Sequence, residues 1–583
     1  MTPSSLRFLK AAGVVAVVSL ALTACASGTT TSSNLAADQT LKFPILDDVH
    51  TLDPGVLDAE TDSEFTQNLF NGLLKFDNNL NLVPDIASEM PTITSDGQNF
   101  TFKLRHDVTF WNGDKVTSKD FLYSWNRAAA LQQSSYDTSS FQPILGFDRV
   151  SNNKVGGAAL QALLEKKDPS VWMEGATAPD DYTIKVQLTS PATWWLSAIT
   201  VVGTAGDVLD SNVVKKDFDN WWSNPATAVG TGAYKLTART AKASMEFTAV
   251  DNWWGTPKPT VKKVHVDVIS DQATAIAKYE QGGYDIFGFG GYSGATSVAD
   301  VKRIQASASE KDQLHIQARA RTMWVSFNTV ADSVRPAKGP FTLDQGKSAH
   351  DLRLAFALAV DKKKLVDVVC SNVICTPMTG GIIAKNMPGY LGDDADPLAK
   401  FDPTQAKQLL QSADPTGAKT KGLIYVYDPE QPIYRDSAPF LQDQWQTNLG
   451  VKVELQKQSH SAFIKSRLKG SYVLARDGWL IDYPHPQDYY DGLYGKNAGC
   501  PDSNCTSGYD TKAFDDLAAK ANALPLDQGL PVYKQMAQML IDDVVYIPLA
   551  NFAGVFLWKP YVKGIGANAS FEWFWNQYQI NSH

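Results

Sequence analysis

Two hydrophobic rhythms alternate along the chain. Period-two stretches predict strands at residues 40–46, 100–104, 182–188, 261–269, 324–328, 423–427, 451–455 and 546–549. In the 261–269 stretch the apolar side carries Val264, Val266 and Val268. Between them, helical spacing predicts a helix over 64–70 stopped by Asn71-Gly72, and one over 121–127 opened by Ser118-Lys119-Asp120. A third, 271–279, ends at Gly282-Gly283. A fourth is expected to be capped by His350-Asp351, with Leu352, Ala355, Phe356, Leu358 and Ala359 on its apolar side and Lys362 to Lys364 near its end. A fifth, 440–448, is closed by Gly450. Strands and helices alternating in this way indicate an α/β fold. There is no short repeat, but the helix-strand-strand order near 271–290 returns near 350–480, which suggests two related lobes.

The first residues break this rhythm. Arg7 and Lys10 precede an apolar run from Ala11 to Leu22, interrupted only by Gly13 and Ser19. A membrane span needs about 20 apolar residues, so this run has the layout of a secretory leader. It ends in Leu22-Thr23-Ala24-Cys25, the pattern at which a bacterial leader is cut and the cysteine receives a lipid; the plainer alternative is an ordinary leader with a chance cysteine. Residues 1–24 are thus expected to be a signal peptide, and 25–38 a lipidated tether of small polar residues, with residues 1–36 making no packed contact with the body. Acyl chains on Cys25 would hold the protein on the outer face of the cell membrane, since each buried methylene adds about 0.8 kcal/mol.

Composition is globular, with 44% apolar and 20% charged residues, and the 559 residues left after cleavage suffice for two to four structural units. Losing Arg7 and Lys10 with the leader takes the net charge from −9 to −11, which disfavours nucleic acid as a partner. Besides Cys25, two cysteine pairs share one spacing, Cys370/Cys375 and Cys500/Cys505. In an exported chain two local disulfides are the first expectation, and a four-cysteine zinc site is the alternative. An enzyme is not expected: adjacent carboxylates are plentiful, but strand neighbours point to opposite faces. No H-E-x-x-H, G-x-S-x-G or G-x-x-x-x-G-K motif occurs, and no cofactor or metal is called for. Fifteen tryptophans leave sugar stacking open.

Five segments, in order along the chain, carry a resemblance. They are Asn68-Leu69-Phe70-Asn71-Gly72-Leu73-Leu74 with residues 82–87, then 102–121 around Phe110-Trp111-Asn112-Gly113. Gly230-Thr231-Gly232-Ala233-Tyr234 with Asn252-Trp253-Trp254-Gly255 is the third, and 352–361 the fourth. The last is Ala475-Arg476-Asp477-Gly478-Trp479-Leu480-Ile481-Asp482-Tyr483-Pro484. Together they resemble the dipeptide- and oligopeptide-binding proteins of solute-binding protein family 5, the oligopeptide branch above all. The resemblance implies a periplasmic-binding-protein-like α/β fold of two hinged lobes closing on a ligand. Lobe I would take residues 36–66, 190–322 and 550–583, an inserted domain 67–189, and lobe III 323–549, with hinge crossings near Trp324 and Leu549. The expected role is to capture peptides for the permease and ATPase subunits of an ATP-driven importer, as a monomer. The same scaffold binding an oligosaccharide or another small solute is the alternative, and an exported hydrolase a distant one.

By the same resemblance, Asp482 would hold a peptide's α-ammonium, because a buried ammonium needs an opposite charge. Arg476 would face a ligand carboxylate or else pair internally with an acid. Gly478 would let peptide backbone approach, and Trp479, Trp324, Asn551 and Tyr136 would line the site. Two departures stand out. The positions that some relatives join by a disulfide are Arg321 and Leu480, and His485-Pro486-Gln487-Asp488 replaces the usual acid-Pro pair.

Overall fold

The computed structural model describes residues 34–57, 59–131, 139–201, 203–291, 296–330, 337–498, 507–566 and 573–583. Cys25, Tyr136, Cys500 and Cys505 lie outside them. The chain's described start is not free of the body. Leu35 bridges to Asn581, Ala36 N donates to Ile580 O at 2.8 Å, and Ser582 N donates to Asn34 O at 2.8 Å. The expected tether is therefore shorter than residues 25–38, because the C-terminal segment supplies backbone partners to residues 34–36.

Two hydrophobic cores organise the rest. The first draws on residues from Leu41 to Phe289 and from Phe556 to Ile580; the second draws on Ala320 to Ala550. In the first, the strand Thr40–Ile45 buries Leu41, Phe43 and Ile45 and pairs in parallel with Lys263–Val268. Ser244–Ala249 and Tyr234–Thr240 complete that four-stranded sheet. A separate antiparallel sheet runs in the order Thr92–Ile93, Asn99–Lys103, Thr183–Gln187, Ala176–Asp180, within the span expected for the inserted domain. Its apolar side is continuous with the first core: the rings of Phe100 and Trp195 lie 5.0 Å apart. A buried ion pair ties them further, Arg127 Nη1 and Nη2 meeting the two oxygens of Asp53 at 3.1 and 2.7 Å. Both side chains are almost wholly buried, and a two-pronged pair of this kind fixes orientation as well as distance.

A seven-stranded sheet runs through both cores. Its order is Ile286–Phe287, Tyr546–Trp558, Leu314–Phe327, Leu474–Leu480, Ile424–Tyr427, Glu454–Lys457, with Cys375–Pro377 added on Tyr546–Trp558. The two long strands, 314–327 and 546–558, are the crossings. At one end Leu314 faces Leu557 beside the first core; at the other Val325 faces Ile547 inside the second. Their register slips between Ala318 and Thr322 and again between Met323 and Trp324. Such irregularities bend strands, and they fall on and just before the expected crossing at Trp324. The stretches 324–328 and 546–549 read from sequence are thus only the second-core halves of these strands.

Other boundaries shift for local reasons. The helix expected after His350-Asp351 is Gly346–Leu358, so those two residues lie inside it. Lys362 to Lys364 begin a new helix, Lys362–Cys370, whose first turn is capped by Asp361 accepting from Lys364 N at 3.0 Å. The Lys362 amine is buried against the carbonyl oxygens of Ala357, Leu398 and Lys400. The helix before Gly450 reaches back to Pro432, and the strand expected at 451–455 is Glu454–Lys457, with Val451 and Val453 buried ahead of it. Cys370 and Cys375 form a disulfide. That occupies two of the four thiols a four-cysteine zinc site would need.

Candidate functional site

The strand Leu474–Leu480 carries the candidate residues to the crossing. Against the hinge strand, Arg476 faces Val325, Gly478 faces Met323, and Leu480 faces Arg321. The two positions that replace a lobe-joining disulfide are therefore direct register partners. The ladder continues through Ile481 N to Ala320 O at 3.0 Å, after which the chain turns into the short helix Pro486–Tyr490. His485 opens that helix, its Nδ1 accepting from Gln487 N at 3.1 Å. That bond needs a neutral ring, and burial pushes the imidazole down to about 3.

This turn folds Asp488 back onto the strand. Asp488 Oδ2 accepts from Trp479 Nε1 at 2.8 Å and from Asp482 N at 3.1 Å. The Asp482 backbone and the Trp479 ring are held by one buried carboxylate. The half-buried Asp482 carboxylate has no hydrogen-bond or ion-pair partner among the described residues. Burial pushes Asp482 up to about 7, and burial together with the charge of Asp482 pushes Asp488 well above the carboxylate range. Next in sequence, the Tyr483 ring stacks on Trp194 of the first core, centroids 5.8 Å apart and planes 9° apart. Thr193 N also donates to Asn522 O at 2.8 Å. Asp482 thus stands beside a contact that runs between the two cores. Two carboxylates on one turn, one engaged by neutral donors and one open, form a place where a cation lowers the energy.

Arg476 is placed differently. It is 6% exposed; its Nε donates to Asp428 Oδ1 at 2.9 Å, and Nη2 donates to the same oxygen. Its guanidinium lies 3.9 Å from the Tyr434 ring centroid and 4.5 Å from that of Phe463. Of the two roles open to it in the sequence, the internal pair is realised, with Asp428 as the acid. Asp428 also accepts from His460 Nδ1 at 2.9 Å.

The remaining expectations divide. Trp479 is half-buried with its indole nitrogen committed to Asp488. At Gly478 a Cβ would stand 2.6 Å from the Thr322 carbonyl oxygen, so the neighbouring strand requires the glycine. Trp324 is fully buried in the second core, with Nε1 donating to Ser326 Oγ at 3.0 Å. Asn551 faces Thr322 at the crossing; its Nδ2 donates to Pro377 O at 3.3 Å, and its buried Oδ1 has no partner among the described residues. Sequence reasoning missed Asp488, Tyr434, Tyr483 and Trp194 as members of this region. Asp488 had one visible sign, an acid moved two residues beyond Pro486.

The sequence pattern of the bacterial extracellular solute-binding proteins, family 5, matches residues 81–499. The chain belongs to that family. Among curated relatives it is 25% identical to the periplasmic oligopeptide-binding protein OppA of Escherichia coli, over 97% of this chain and 96% of that one. The fold matches the unliganded open form of the murein tripeptide-binding protein MppA with a TM-score of 0.77 at 23% identity, covering 95% of this chain and 99% of that one. It also matches Haemophilus influenzae OppA in complex with the peptide RPPGFSPFR, with a TM-score of 0.65 at 22% identity, covering 94% and 100%. These relatives are transport binding proteins of two-lobed α/β architecture, the fold found here.

Proposed function

We propose that this family 5 protein captures peptides between its two cores and hands them to the permease and ATPase subunits of an ATP-driven importer. The observation that carries this is the open carboxylate of Asp482. The Asp482 backbone is positioned by Asp488, its carboxylate lacks a partner among the described residues, and it lies beside the Trp194–Tyr483 contact between the cores. A peptide α-ammonium fits that carboxylate, and an amine-free ligand would leave it unpaired. The named ligands of the relatives agree with a peptide. Residues 36–66, 190–322 and 550–583 act as one lobe, with 67–189 fused to it, and 323–549 as the other, moving about the slipped register of the crossing strands. Asn551 and Trp479 border the ligand, and Tyr136 does so from the 67–189 domain. Cys25 carries a lipid that keeps the monomeric protein on the outer face of the membrane at high effective concentration near its importer. Cys500 and Cys505 form a second disulfide. The protein binds without catalysing.

Calorimetry with a free tripeptide and its N-acetylated form tests this. The free amine is expected to bind more tightly by about tenfold or more, roughly 1.4 kcal/mol. Equal binding, or stabilisation by oligosaccharides alone, would discard the peptide reading.

A further inference from the structure

The Tyr434 ring meets two guanidinium groups and the acids near it neutralise only one. Arg476 lies 3.9 Å from the ring centroid and is paired with Asp428. Arg321 lies 5.8 Å from the same centroid and 5.2 Å from that of Phe552 on the second crossing strand. Its Nη2 donates to Gln431 Oε1 at 3.0 Å and to Tyr434 Oη at 2.6 Å, both neutral groups. No carboxylate among the described residues lies within ion-pair distance of it. The nearby acids are engaged elsewhere, Asp428 by Arg476 and His460, and Glu430 by the His460 amide. Two residues upstream, Arg319 reaches Glu60 in the first core's opening helix; three downstream, Trp324 is fully buried in the second core. Half-buried Arg321 therefore sits at the junction of the two, held in place with its charge unanswered. A guanidinium presents a planar fork suited to two-pronged binding of a carboxylate.

We propose that Arg321 is a specificity-determining residue that receives a carboxylate of the bound ligand close to its amino end. This rests on the peptide reading above. Arg321 is the register partner of Leu480, two residues before Asp482. Register partners lie about 5 Å apart, and two strand residues span about 7 Å. A ligand whose ammonium rests on Asp482 brings about its first three residues past Arg321, at roughly 3.3 Å each. The carboxylate is then the C-terminus of a very short peptide or an acidic side chain near the start of a longer one.

Calorimetry on the full chain separates these sources. The ligands are Ala-Ala-Ala, its C-terminal amide, and Ala-Glu-Ala amide; the proteins are wild type, Arg321→Gln and Arg321→Lys. Wild type is expected to bind at least one carboxylate-bearing peptide about tenfold more tightly than the neutral amide. Arg321→Gln is expected to abolish that preference while leaving the neutral amide within about twofold, and Arg321→Lys to keep part of it. Sensitivity of the free acid alone identifies the terminal carboxylate; sensitivity of Ala-Glu-Ala amide identifies the side chain. Absence of any carboxylate preference in wild type overturns the proposal without needing a folded variant. So does an Arg321→Gln protein that keeps the preference, or that loses the neutral amide equally. Wild type that binds none of the three overturns both this inference and the peptide reading; wild type that binds all three alike overturns this inference only.

Discussion

Six residues of one stretch separate two opposite treatments of charge. At Arg476 the charge is answered from within: Asp428 accepts two of its hydrogen bonds, His460 holds Asp428, and Tyr434 and Phe463 cover the guanidinium. At Asp482 the backbone is fixed equally well, through Asp488, yet the carboxylate itself is unanswered among the described residues. A saturated pair contributes to a lobe's integrity, because removing one partner strands the other in low dielectric. An open charge costs the empty protein something and is repaid only when a ligand arrives. The contrast teaches that a charged residue in a family's ligand position need not be a ligand group; the free valence decides.

The sharpest way to break this comparison is Asp428→Ala. Stranding a buried guanidinium costs about 3–5 kcal/mol, so denaturant unfolding should show a loss of that order. Unchanged stability with altered peptide affinity would instead make Arg476 a ligand group. Between the two ends, Gly478→Ala places a methyl 2.6 Å from the Thr322 oxygen. Overpacking of this kind costs about 1–3 kcal/mol, so a lowered midpoint is expected, with peptide affinity following only as the fold does. Asp482→Asn comes next. It should weaken binding of a free-amine tripeptide by about tenfold, roughly 1.4 kcal/mol, while leaving the thermal midpoint of the empty protein level or higher. A lowered midpoint would show that Asp482 has an internal role.

The alternating period, the helix stops and the family segments were legible because each is a local pattern. Val264 and Val266 are both fully buried, as the 261–269 stretch predicts, and Gly450 closes its helix in the left-handed conformation. The crossing strands were half-legible. Leu314-His315-Ile316-Gln317-Ala318-Arg319 does alternate, but residues 552–558 form an apolar run without a period. His350-Asp351 was read as a cap because polar residues before an apolar stripe resemble one. Gly346 opens the helix instead, and Lys347 meets Asp351 one turn on, at 2.5 Å. At the site, Asp482 and Arg476 could be found from the family segment, but not their difference. Asp428 and Asp488 reach them from 48 and six residues away along the chain, and only folding brings those acids in. The full burial of Trp324 in the second core was hidden for the same reason: an aromatic at a crossing reads alike in sequence whatever it packs against.

The most discriminating test is the dependence on pH. Asp482 in the folded protein is raised from the usual carboxylate range to about 7. Its contribution to stability is fully present below about pH 4, where folded and unfolded forms are both protonated, and is lost as pH rises towards 7. Compared with Asp482→Asn, the empty wild-type protein should therefore lose relative stability between about pH 4 and 7. Peptide binding runs the other way, because an ammonium needs the ionised carboxylate: affinity should rise over the upper part of the same window and flatten in the variant. Asp428 is instead held below the carboxylate range, overcoming its burial through the Arg476 charge and the bonds from His460 and Arg476. Its contribution is present above about pH 4 and lost only in stronger acid. Thermal midpoints and affinities measured from pH 5 to 8 on wild type, Asp482→Asn and Asp428→Ala should thus show the slope reduced in Asp482→Asn and kept in Asp428→Ala. A slope that vanishes with Asp428→Ala and survives Asp482→Asn would reverse which end of the strand is open.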